Sequence, residues 1–166
     1  MQLFILDYDP EKVPGMLCDV HVRKMCLETA QILSSVIRLQ RKKLPPGLPK
    51  PYNVNHPVIR ALDTAQKINW AVQFNSALQR EYCRRFGKKH AYFERAKIYY
   101  AILFRPGTAI RPSGWTFART FKDVTITEPD IVQAYRQYYR HKRKLIRNWH
   151  YTGTEPPGWL NAAVLS

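Results

Sequence analysis

Cysteine, glycine and acidic residues are scarce in this chain, at three, seven and twelve among 166 residues, and each shortage removes a class of protein. Cys18, Cys26 and Cys83 are odd in number and lack C-x-x-C spacing, so neither a disulfide framework nor a thiolate zinc site is indicated, and a reducing cytoplasm fits. No stretch approaches the roughly 18 apolar residues that span a bilayer. The N-terminus, acidic at Asp7, Asp9 and Glu11, lacks the basic start of a signal peptide, so a cytoplasmic, unprocessed protein with no membrane partner is expected. Walker, GxGxxG, HExxH and EF-hand spacings are missing too, and no cofactor or metal is expected.

What is present is positive charge. Twenty-seven Lys and Arg against twelve Asp and Glu leave +15 at pH 7, which points to a polyanionic partner, nucleic acid first. Apolar residues at 45% and charged residues at 23% are ordinary for a folded body, and 166 residues suit one domain with a buried core. No heptad is evident, so a monomer is expected.

The periodicity predicts a mainly α, single compact domain of four to five helices. After an apolar run to Tyr8, Asp9-Pro10-Glu11 reads as a cap with proline in the first turn. The secure part of the first helix is placed at Met16 to Leu39. The segment 42–57 holds five prolines and reads as an extended connector. A second long helix is expected over Val58 to Phe86, broken near Asn69 and ended by Gly87. A third helical pattern covers His90 to Phe104. Thr127-Glu128-Pro129-Asp130 starts a last helix to about Ile146, and residues 147–166 read as a coil tail. Strand signals are confined to Leu3 to Leu6 and Val124 to Ile126.

Two constellations carry chemistry. His21, Lys24 and Glu28 stand at i, i+3 and i+7, with His21 and Glu28 about 20° apart around a helix axis and bordering an apolar arc. A carboxylate, an amine and an imidazole at the rim of an apolar surface suit general acid/base or Schiff-base chemistry; solvated ion pairing is the competing reading. The second constellation interleaves cations with aromatics: Arg136, Tyr139, Arg140, Lys142, Arg143, Lys144, Arg147 and Trp149, with no acid from Arg136 to His150. Cations neutralise phosphates and aromatic faces stack on unpaired bases, so this stretch is the expected nucleic-acid interface. Arg84, Arg85 and Lys88 around Gly87, and Arg23 on the first helix, are secondary candidates. Asn53, Asn55 and His56 read as a turn and N-cap before Pro57, or as a loop reaching into a groove. Cys18 and Cys26 read as core.

The motifs LFILDYDP, LCDVHVRKMCLETAQ and NHP resemble those of a family of small bacteriophage proteins. More distantly, Leu17, Asp19, His21 and Glu28, with Arg84-Arg85-Phe86-Gly87, resemble the pattern of the pyrimidine-dimer DNA glycosylase family of endonuclease V type. The resemblance implies an all-α fold that kinks double-stranded DNA and extrudes a nucleotide. It also implies an N-terminal α-amine that attacks C1′ and a helix glutamate, here Glu28, that assists. Where that family exposes a threonine amine, this chain has Met1 followed by Gln2, and Leu27 and Thr29 replace the arginines flanking the glutamate. The nucleophile is then the Met1 amine, Lys24, or water activated by Glu28, with His21 orienting or contacting phosphate. The expected function is excision of a damaged or modified pyrimidine, with or without abasic-site lyase activity, in the host cytoplasm if phage-encoded. The alternatives are a non-enzymatic nucleic-acid binder and a base-modifying enzyme on the same scaffold.

Overall fold

Three of the described helices open on a capping side chain, His56, Thr64 or Asp130. The computed structural model describes residues 2–40, 42–108 and 115–161. Among them lie α1 (Val13–Met16), α2 (Asp19–Leu39), α3 (Pro57–Arg60), α4 (Ala65–Phe86), α5 (Ala96–Leu103) and α6 (Ile131–Leu145). Single 3₁₀ turns lie at Phe93–Arg95 and Gly158–Leu160, and no strand is formed among the described residues. The fold is mainly α, and its buried apolar residues form one core cluster.

Thr64 Oγ1 accepts the Lys67 N–H at 3.3 Å to open α4. Gly87, at φ 63°, closes that helix by donating to the Cys83 carbonyl at 2.9 Å, a left-handed backbone that glycine adopts without strain. Asp130 opens α6 by accepting the Gln133 N–H at 2.8 Å, and its carboxylate also accepts a hydrogen bond from the Tyr8 hydroxyl.

Several boundaries differ from the sequence reading. The first helix starts at Asp19 because Leu17 is extended and separates it from the short α1. The helix over 58–86 is two, parted at 61–64. Asn69 lies inside α4, fully buried, where its side-chain amide exchanges two 2.9 Å hydrogen bonds with the backbone of Arg105. Leu3 to Leu6 form no strand. All four side chains are buried, so there is no alternation, and side chains satisfy the local backbone: Arg136 Nε donates to the Leu6 carbonyl at 2.8 Å and Trp70 Nε1 to that of Tyr8 at 2.9 Å. Val124 to Ile126 likewise forms none.

Helix α2 packs chiefly against α4, and α5 closes on both. The buried Tyr99 hydroxyl donates to the Ala30 carbonyl at 2.9 Å and lies 2.9 Å from Ser34 Oγ, which ties α5 to α2. The proline-rich connector is anchored where Tyr52 N–H donates to Ser35 Oγ at 2.9 Å. The tail is irregular, yet it is packed: Leu160 is buried, and Trp149, Tyr151 and Trp159 rest on the core.

Arg85 joins these pieces. Its side chain is fully buried and donates to the carbonyls of Pro14, Gly15 and Leu17, to Asp19 at 2.9 Å and to Glu81 at 2.6 Å. Asp19 in turn accepts from the Thr152 N–H at 3.0 Å and hydroxyl at 2.6 Å. Burial pushes the Asp19 carboxyl up, but the Thr152 and Arg85 hydrogen bonds outweigh it and leave it below the usual range. Truncating Arg85 strands two carboxylates in a low-dielectric site, so Arg85→Ala is expected to cost about 3–5 kcal/mol in urea unfolding. A loss under about 1 kcal/mol would remove the network from its structural role.

Candidate active-site pocket

The helical spacing of His21, Lys24 and Glu28 brings all three to one opening, a pocket of about 430 Å³. That volume falls in the usual range of small-molecule sites, about 300–1,000 Å³. Helix α2 forms one wall. Helix α6 supplies Tyr138 and Lys142, one turn apart, and the N-terminal segment supplies Gln2 and Phe4. His56 enters from the end of the connector, and Thr120 and Lys122 from the loop before α6.

Each contributor is held. Gln2 is buried, donates to the Thr120 carbonyl at 3.2 Å and accepts the Thr120 hydroxyl at 2.9 Å and that of Tyr135 at 3.2 Å. Phe4 lies 4.7 Å from the His21 ring and 6.4 Å from that of Tyr138. His56 caps α3, its Nδ1 accepting the Val58 N–H at 3.3 Å. The sequence left His56 between a capping role and a groove-lining one; it has both.

Lys24 Nζ stands 3.3 Å from Glu28, whose side chain is 17% exposed against 59% for the lysine. The pocket therefore holds three lysines, two imidazoles and one carboxylate among its lining residues, together with the aromatic faces of Phe4 and Tyr138. His21 is 4% exposed. Burial, with Lys24 and Lys142 adding in the same direction, lowers its pKa to about 3. Burial lowers that of His56 as well. Cys18 Sγ lies 3.4 Å from His21 Nδ1, but burial pushes its thiol up, and that of Cys26 up to about 12, so neither is an activated nucleophile.

The remaining expected site residues divide. Met1 lies outside the described residues; its neighbour Gln2 lines the pocket. Of the expected nucleic-acid contacts, Lys142 joins the pocket. Arg140, Arg143 and Lys144 line a second groove of about 560 Å³ across α6, with Gln137 and His141 and no acid. Both arginines also hold the tail: Arg140 Nε donates to the Trp159 carbonyl at 2.9 Å and Arg143 to Asn161. Arg147, Lys144 and Lys88 are exposed. Arg136 is bound to Leu6 and Asp7 and lies 5.2 Å above the Trp159 ring. Arg23 sits over Phe86 at 4.3 Å, and Arg84 pairs with Glu81 and the Gly153 carbonyl, both away from the pocket.

Two expectations are corrected. Arg85 cannot reach a phosphate because its side chain is fully enclosed by protein acceptors. Tyr139 cannot stack on a base, being 0% exposed with its ring against His21, Phe4 and Trp149. Trp149 is half-buried, its ring at right angles to that of His21 at 5.5 Å. Gln2, Phe4, Thr120 and Lys122 escaped the sequence reading, since no local motif links segments more than a hundred residues apart; Tyr138 belongs to the basic-aromatic stretch that the sequence singles out.

Among the described residues no group of three His, Cys, Asp or Glu is placed to hold a metal, and no helix is long and apolar enough to cross a membrane.

The lowered histidines set a pH dependence. Between about pH 3 and the ordinary histidine value near 6.5, the unfolded chain binds a proton that folded His21 refuses. Stability is therefore expected to rise with pH across that window and to be lost as pH falls through it, with half-buried His56 and His90 acting in the same sense. In NMR titration the His21 ring resonances should show no inflection between about pH 5 and 8. An inflection near 6.5 would mean that the pocket carries a cationic His21.

No protein-family model, curated protein or solved structure matches the chain.

Proposed function

We propose that this protein is a DNA glycosylase that receives an extruded nucleotide in the pocket between α2 and α6, with Glu28 as its catalytic carboxylate. The observation that carries the reading is one recessed carboxylate in a pocket lined also by Lys24, Lys122, Lys142 and two imidazoles. Lysines accept phosphate, and a carboxylate beside them suits attack at C1′.

In the hydrolytic form, water attacks C1′ while Glu28 takes its proton. The C1′–O bond forms as the C1′–N bond breaks, and the electron pair leaves with the base, which picks up a proton. In the lyase form an unprotonated amine, from Met1 or Lys24, attacks C1′ as the C1′–N bond to the base breaks; loss of the amine protons and opening of the C1′–O4′ bond, whose oxygen takes up a proton, leave an imine, and loss of a C2′ proton then expels the 3′-phosphate and cleaves the strand. The acid-free groove across α6 and the net charge of +15 support a duplex whose phosphates flank the extruded nucleotide. The Leu17, Asp19, His21 and Glu28 pattern supports a damaged or modified pyrimidine as its target.

The solvent exposure of Lys24 favours the second reading, a binder in which the Lys24–Glu28 pair is an ordinary surface ion pair. The two separate on one variant. Glu28→Gln should abolish base release from duplexes carrying a thymine dimer or 5-hydroxymethyluracil, while DNA affinity stays within a few-fold. Borohydride reduction of these mixtures, and of a duplex carrying an abasic site, should trap a covalent complex if an amine is the nucleophile, and peptide mapping then chooses Met1 or Lys24. Wild-type protein that releases no base, cleaves no strand and binds matched duplex as tightly as damaged duplex would be a binder.

A further inference from the structure

The two imidazoles of the pocket come from different elements, yet both have Nδ1 committed. Val58 N–H donates to His56 Nδ1 at 3.3 Å. At His21 the partner is the Tyr139 hydroxyl, 2.9 Å away. That hydroxyl oxygen already accepts the Cys18 N–H at 2.9 Å, so its own proton needs an acceptor. The acceptors beside it are His21 Nδ1 and the Cys18 sulfur, and an imidazole nitrogen is much the stronger. A neutral imidazole that accepts at Nδ1 carries its proton at Nε2.

We propose that His21 and His56 are a pair of fixed Nε2–H donors that select an oxo-substituted nucleobase over an amino-substituted one. Tyr139 acts as the positioning residue that sets the His21 proton. The inference rests on the reading of this pocket as a nucleotide site and adds the class of base. Lys122 and Lys142 line the same pocket as the two imidazoles and are available to phosphate, which leaves the imidazole N–H groups for the edge of a base. A ring carbonyl accepts from such a donor. An exocyclic amino group at the same place would set N–H against N–H and leave both desolvated without a partner. Burial disfavours, on both rings, the second proton that would turn them into phosphate clamps. The charged and titratable groups around them, Lys24 and Glu28 from α2, Tyr138 and Lys142 from α6, Lys122 from the loop and Cys18 behind His21, do not change this assignment of donors.

The test uses the intact protein and two matched pairs of free nucleotides, deoxyuridine against deoxycytidine monophosphate and deoxyinosine against deoxyadenosine monophosphate, measured by calorimetry. The oxo member of each pair is expected to bind at least about tenfold tighter, the scale of one well-made base contact. Inorganic phosphate should compete equally against all four. His56→Asn keeps an acceptor for the Val58 N–H but loses the Nε2 donor, so it should shrink the preference while the fold is retained. Imidazole ¹⁵N shifts should show unprotonated Nδ1 on both rings, and Tyr139→Phe should shift the His21 pattern alone.

Equal affinity within each pair, no binding of the oxo nucleotides at millimolar concentration, or a proton on Nδ1 of either ring would overturn the inference. Base release from DNA without an oxo preference would overturn it while leaving the glycosylase reading intact. An oxo preference without base release from any duplex would do the reverse.

Discussion

The buried guanidinium of Arg85 is the constraint on which the rest is arranged. It draws the carbonyls that end α1, the carboxylate that opens α2 and a carboxylate of α4 to one point. Through Asp19 it also fixes Thr152 in the tail. Asp19 stands two residues before His21, so the phase of α2, and with it the direction of the His21, Lys24 and Glu28 stripe, is set at this junction. A cation enclosed this way is tolerated only because acceptors meet it on every side, and such an arrangement has little freedom to shift.

The pocket is built on the opposite side of α2 by the same economy of satisfied groups. The hydroxyl of Tyr139 serves the first turn of α2 and the ring of His21 at once. Gln2 serves Thr120 and Tyr135, which keeps the N-terminal segment against the loop that carries Lys122. Trp149 packs against His21, and burial holds its imidazole well below the usual histidine range. Positive charge then surrounds a single carboxylate, an arrangement suited to anionic ligands and to chemistry at one acidic group.

Helical spacing made part of this legible. Residues at i, i+3 and i+7 share a face wherever a helix forms, so His21, Lys24 and Glu28 could be grouped from their numbers alone, and Gly87 and Asp130 marked helix ends through chemistry confined to a few residues. Charge was the misleading signal. Arg85 lies in a run with Arg84 and Lys88 and reads like its neighbours, but a helix turns them to different sides, and only one faces Asp19 across the core. Tyr139 was misread for a related reason. Aromatics between basic residues look exposed in a linear run, whereas at the period of α6 they fall on its buried face.

By itself the sequence determined the helical class, the basic surface, the connector and the stripe on α2, because each depends on local backbone preference, on composition or on a fixed angular step per residue. Only the tertiary structure decided that Gln2, Phe4, His56, Lys122 and Tyr138 meet that stripe and that Arg85 and Tyr139 are withdrawn from solvent. Those outcomes depend on which side of each helix buries the most apolar surface against the others, a property of the assembled core that no single segment carries.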